Sequence, residues 1–202
     1  MEIMALLKSF IYLVSSSLLV PVLVLLSGLT LWLLVYCGGF FSLWLARHRL
    51  PRDRNPVREI AAYRFEIFPL PVQEFCKRLL ALYEPGGIDE IEVLNLLRET
   101  EHRLWKALDG LKIMIRIGPG LGLIGTLIPM GTGLASLGQG DLTRLSGDLV
   151  IAFTTTVVGM AIGLVCYFIF TIERRWIEED VKNMELAAEI LAGSGVGRRG
   201  EG

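Results

Sequence analysis

The chain has 202 residues, 52% of them hydrophobic, with a net charge of about −1 and three cysteines, and its mean hydropathy of +0.54 lies well above soluble-domain norms. Near-neutral charge, with basic residues interleaved among Asp53, Glu59, Glu66 and Glu74, argues against a nucleic-acid binder. Cys37, Cys76 and Cys166 lie far apart and His48 and His102 are isolated, so neither a disulfide framework nor a metal site is expected, and no nucleophile, base and phosphate-loop constellation points to an enzyme or a cofactor.

No charged residue occurs between Lys8 and Arg47, from Ile117 to Gly140, or from Leu149 to Thr171. Each gap reaches the ~20 residues that a helix needs to cross ~30 Å of hydrocarbon. The expected fold class is an all-α integral membrane protein with three transmembrane helices and long cytoplasmic helical extensions. The first gap holds roughly 38 residues, about 57 Å of helix, too long for one perpendicular span. Pro21 suits the first turn of a helix. Residues 1–20 are therefore assigned to the outer interface and 21–46 to the first span, with a two-span hairpin as the alternative.

Arg47, Arg49, Arg52, Arg54 and Arg58 follow the first span, and Lys112 and Arg116 precede the second. Between the second and third spans stands only Arg144, and Arg174 and Arg175 follow the third. Cationic flanks stay on the cytoplasmic side, which predicts an external N-terminus, a cytoplasmic segment over 47–112, spans over 113–138 and 149–172, an outer loop over 139–148 and a cytoplasmic tail over 173–202. Trp44 and Trp176 fit either an interfacial aromatic belt or ordinary packing.

Within the middle segment Pro51, Pro56, Pro69 and Pro71 mark breaks, and Pro85-Gly86-Gly87 marks a reversal. Heptad-like Leu94, Leu97, Leu104, Leu108, Leu111 and Ile115 predict one long helix from about Asp89 into the second span. Ile177, Val181, Met184, Ala188 and Leu191 continue the third span as a stripe, expected to pack on that helix. Gly193 to Gly202 reads as a disordered end.

Helices in lipid associate through small residues that permit close approach. Gly118, Gly122, Gly125 and Gly133 would serve the second span, and Ala152, Thr155, Gly159 and Gly163 the third. Pro129 predicts a kink, because it lacks an N–H and frees the carbonyl of Gly125. Thr126, Thr132, Thr154, Thr155 and Thr156 can bond backbone carbonyls or line a polar path. At ~100° per residue Thr154 and Thr156 do not face one neighbour. Asp141, Arg144 and Asp148 read as a solvated loop, with proton entry or partner contact as the other reading.

Gly118-Pro119-Gly-Leu-Gly122-Leu-Ile-Gly125-Thr126 resembles the Ala-Pro-Leu-Leu-Gly-Leu-Leu-Gly-Thr of the ExbB, TolQ and MotA proton channel subunits, and Ala152-Phe-Thr-Thr-Thr156-Val-Val-Gly159 resembles their Ala-Leu-Xaa-Thr-Thr-Ala-Xaa-Gly. The resemblance spans about Leu94 to Leu191. It implies a pentamer in the cell inner membrane that encloses a single-span ExbD/TolR/MotB-like partner carrying an intramembrane Asp, with Thr126 and Thr156, and by extension Thr155 and Thr132, lining the channel. Proton passage would then drive a rotary motor. Ile151 stands where ExbB and TolQ carry a glutamate, and Val165 where they have a late proline. The rival reading is a passive scaffold or sensor subunit; a secondary transporter would want an intramembrane carboxylate or an inverted repeat.

Overall fold

The computed structural model describes residues 17–49, 56–82 and 90–197, with side chains to Leu191, and positions 4, 6, 7, 10, 13 and 14 near the start. The described residues form α1 (Leu19–His48), α2 (Pro56–Ala61), a 3-10 turn (Phe65–Ile67), α3 (Leu70–Ala81), α4 (Glu90–Ala107), α5 (Asp109–Leu137) and α6 (Leu142–Gly197), with no strand among them. Three helical stretches, α1, the run from Glu90 to Leu137, and α6, are long and apolar enough to cross a membrane. The expected reversal at Pro85-Gly86-Gly87, the break at Pro51 and most of the interfacial segment fall outside the described residues.

Prolines place the helix starts as their fixed geometry requires. Pro21 lies in the first turn of α1, Pro56 opens α2, and Pro69 and Pro71 flank the start of α3. The C-terminus of α2 closes without a glycine: Tyr63 adopts φ 57°, its N–H bonds the Ile60 carbonyl at 3.0 Å and that of Arg64 bonds Glu59 at 3.0 Å. This is a Schellman motif with tyrosine in the left-handed position that glycine usually occupies.

The helices divide into two compact units, Met1–Gly39 with Gly110–Ile169 and Phe40–Asp109 with Phe170–Gly202. In the second unit, α3 buries Val72, Phe75, Cys76 and Leu79, a one-face spacing. They join Ile60, Phe65, Phe68 and Val93 against Met184, Ala187, Ala188 and Leu191 of α6. The Cys76 thiol is fully buried, and desolvation raises it to about 11, so it stays protonated and inert.

Three local expectations change. Leu94 is 45% exposed and drops out of the leucine pattern, whereas Leu97 and Leu104 pack against the core beside the buried Val93, and Leu108 and Leu111 are each 1% exposed. The long helix from Asp89 is interrupted at Leu108, whose N–H bonds Trp105 three residues back at 3.1 Å. The last helix runs to Gly197, so the first part of the glycine-rich end is helical, and only 198–202 lie outside the described residues.

In the first unit the loop assigned to 139–148 shrinks to a turn at 138–141. Gly140, at φ 78°, donates to Leu137 at 3.0 Å, and Asp141 N–H to Ser136 at 3.0 Å. The Asp141 carboxylate then accepts from the Arg144 N–H at 3.0 Å. A Schellman end and an Asp N-cap therefore share four residues, and α5 reverses directly into α6.

Candidate functional site

The reversal brings the glycines of α5 against α6 so closely that side chains are excluded. A Cβ on Gly159 would lie 2.6 Å from the Gly118 carbonyl oxygen and 2.7 Å from the Gly122 Cα. One on Gly163 would meet the Pro119 ring at 2.7 Å, and one on Gly125 would meet Thr155 Cβ at 2.8 Å. Gly133 faces Leu145 and Asp148. These glycines thus define one helix–helix contact running from Gly118 and Gly163 to Gly133 and Asp148. Helix α5 continues through Pro119 and through the buried Pro129.

That contact sorts the three consecutive threonines by face. Thr154 is exposed and donates to the Val150 carbonyl at 2.7 Å. Thr155 is 4% exposed, donates to Ala152 at 2.9 Å and fills the space beside Gly125. Its place is in the helix contact. Thr156 is half-buried, and its hydroxyl hydrogen-bonds that of Thr126. Thr126 in turn reaches the Gly122 carbonyl at 2.7 Å. A hydroxyl has one hydrogen and two lone pairs. With Thr126 donating to Gly122, Thr156 is the donor to Thr126, and the lone pairs of Thr156 remain to accept a hydrogen bond. Thr132 lies apart from this pair: its hydroxyl is 3.0 Å from the Pro129 carbonyl and 2.8 Å from Asp148 Oδ2.

The arrangement contains hydroxyls, carbonyls and glycine backbone, and between Leu149 and Thr171 no titratable carboxylate. It can accept or donate hydrogen bonds to a passing acid and cannot itself hold a proton. No group of three or more metal-ligating side chains occurs among the described residues.

One polar site was missed by reading the sequence. In the second unit Asp180 is 1% exposed and forms an ion pair with Arg47, while its Oδ1 has no partner among the described residues. The Arg47 guanidinium also lies 5.0 Å from the Trp176 ring centroid, and Phe40 stacks on Trp176 at 5.5 Å. Burial raises the Asp180 carboxyl to about 6 although Arg47 pulls it down. The signal was present: Asp180 is three residues after Ile177 and four before Met184, on the apolar stripe of α6, and a carboxylate there needs a partner. Trp176 thus packs between Phe40 and Arg47, and Trp44 stacks on His48 at 5.2 Å. A cavity of about 720 Å³ adjoins the pair. Arg47, His48 and Lys182 alternate around it with Glu59, Glu179 and Asp180, a lining that selects neither anions nor cations.

Comparison with family models finds that of the MotA/TolQ/ExbB proton channel family, matching residues 76–186. The match includes α5, the turn at 138–141 and most of α6. No curated protein and no solved structure matches.

Proposed function

The chain belongs to the MotA/TolQ/ExbB proton channel family, and on that premise we propose that it is the ring-forming subunit of a motor driven by proton flow. Several copies, five by analogy with the family, surround the transmembrane helices of an ExbD/TolR/MotB-like single-span protein whose intramembrane Asp carries the proton. The ring sits in the cell inner membrane, with the N-terminus outside and the tail and middle segment cytoplasmic. Lipid covers the outward apolar faces of α1, where Val35 is 79% exposed.

The observation that carries this reading is the ordered hydroxyl pair. Thr156 donates inward to Thr126, leaving its lone pairs for a protonated acid brought by another chain, while the absence of a local carboxylate between Leu149 and Thr171 avoids competition for that proton. One proton crossing 100 mV releases about 2.3 kcal/mol, available for rotation of ring against partner. Thr126 and Thr156 are the channel-lining residues of this proposal, while Thr155 and Gly118, Gly122, Gly125, Gly159 and Gly163 hold the helices at the necessary distance.

The test is co-reconstitution with the partner in liposomes containing a pH-sensitive dye. Wild type should conduct protons only with the partner present, and Thr126→Val and Thr156→Val, which keep shape and remove the hydroxyl, should each reduce flux by at least about tenfold with ring assembly retained. Wild-type flux from both variants would leave the hydroxyls as packing groups, whereas no partner-dependent flux from the wild type would favour a passive scaffold.

A further inference from the structure

The proposed ring still needs a place where protons enter, and the hydroxyl pair has no titratable group. The geometry points to Asp148 as the residue of this chain that collects the proton from the side of the 138–141 turn. This inference rests on the ring-subunit reading for the acceptor to which the proton is passed.

Three charged groups cluster near that turn, and the structure gives them different tasks. Asp141 caps α6 through the Arg144 N–H, and Arg144 is exposed. Asp148 alone turns toward α5: it is half-buried, and its Oδ2 is 2.8 Å from the Thr132 hydroxyl. It also opens the contact stripe of α6, since 148, 152, 155, 159 and 163 recur at spacings of three and four. A Cβ on Gly133 would lie 3.3 Å from its Cβ and 3.7 Å from its Oδ2, so the glycine gives the carboxylate room at this contact.

Thr132 makes both protonation states of Asp148 tolerable. Its hydroxyl has two acceptors in reach, the Asp148 carboxylate at 2.8 Å and the Pro129 carbonyl at 3.0 Å. When Asp148 is ionised, Thr132 donates to it. When Asp148 is protonated, the carboxyl O–H donates to the Thr132 oxygen and Thr132 turns its hydrogen to Pro129. No polar group is orphaned by the exchange, so neither state carries the penalty of an unmade buried hydrogen bond. One proton leaves external water, forms the O–H bond of Asp148, and later passes to the carboxylate of the partner chain, which restores the Asp148 anion. Asp148 and Thr156 are eight residues apart, about 12 Å along the helix, beyond direct transfer; the mobile carboxylate spans that gap. The charged groups beside Asp148 are Asp141 and Arg144 on its own side; α5 from Ile117 to Leu137 and α1 before Arg47 carry none.

The experiment measures partner-dependent flux in liposomes as external pH is varied. Asp148→Asn keeps the shape and the contact with Thr132 but does not titrate; it should lower flux by about tenfold or more and flatten the dependence on external pH. Asp148→Glu should retain flux with a displaced pH profile, and Thr132→Val should displace it also, whereas Thr132→Ser should not. Wild-type flux and an unchanged profile in Asp148→Asn would overturn the assignment. If that variant does not assemble, Asp148→Glu and Thr132→Val decide, and unchanged profiles in both would overturn it. Labelling by a hydrophobic carbodiimide, read by mass spectrometry, works without a partner: Asp148 should be modified in acid, less so as pH rises, with the midpoint moved by Thr132→Val. Labelling without pH dependence refutes the Asp148 inference, whereas absent flux in wild type with normal labelling refutes the ring-subunit reading alone.

Discussion

Gly159→Ala is expected to keep α5 and α6 from closing, with a loss of at least about 3 kcal/mol, the upper end for overpacking. The added methyl would stand 2.6 Å from the Gly118 carbonyl oxygen and 2.7 Å from the Gly122 Cα. Both belong to backbone, so no side-chain rotation relieves the clash, and the helices must separate. Separation also pulls Thr156 away from Thr126. Thermal unfolding in detergent measures the loss, and Gly120→Ala and Gly131→Ala supply the control, because nothing lies within 4 Å of a Cβ at either site. These two should be neutral or stabilising by about 0.5–1 kcal/mol, the gain of alanine over glycine inside a helix. A Gly159→Ala protein as stable as its controls would mean that the contact between α5 and α6 is not formed as described.

Arg47→Ala should cost about 3–5 kcal/mol at pH 8, since it leaves the Asp180 carboxylate buried without its cation. The cost depends on pH. The Asp180 carboxyl is raised by burial from 3.8 to about 6, so the folded chain binds this proton more readily than the unfolded one. Its contribution to stability is full below about pH 4 and is lost as pH rises through about 6. Removing Arg47 takes away a lowering influence and moves the carboxyl further up. At pH 5 Asp180 is then neutral, and the deficit of the variant should shrink. Equal losses at pH 5 and pH 8 would show that something other than the ion pair is responsible. The double variant Arg47→Met with Asp180→Leu should recover most of the stability, because an apolar pair of similar size commonly matches a buried ion pair.

Much of the helical content was legible because membrane-length apolar runs are a strong signal. Gaps in charge marked the three apolar stretches, and Pro21, Pro56, Pro69 and Pro71 mark starts through a constraint internal to the residue. The turn at 138–141 was partly legible, since Asp141 is a good N-cap, yet counting charge assigned residues up to 148 to a loop. Charge reports solvent, whereas capping is a hydrogen bond to a particular N–H. In the leucine pattern of α4, Leu97 and Leu104 meet the core while Leu94 stays exposed, because exposed leucine is common and burial depends on the neighbours that arrive. Thr126 and Thr156 stand out in the sequence through a resemblance alone. Their mutual hydrogen bond, and the separation of Thr154, Thr155 and Thr156 onto three faces, needed the rotation of α6 against α5.

Composition, periodicity and the placement of glycine, proline and charge determined that this chain is helical and has membrane-length apolar stretches. Those properties belong to single residues and their neighbours along one helix, so they can be read locally. Which hydroxyl donates to which acceptor, that Asp148 meets Thr132, and that Arg47 answers Asp180 were decided by the tertiary structure alone. Each joins groups at least 16 positions apart in the chain, and a hydrogen bond or ion pair is made at about 3 Å, a distance that only the packing of helix on helix sets.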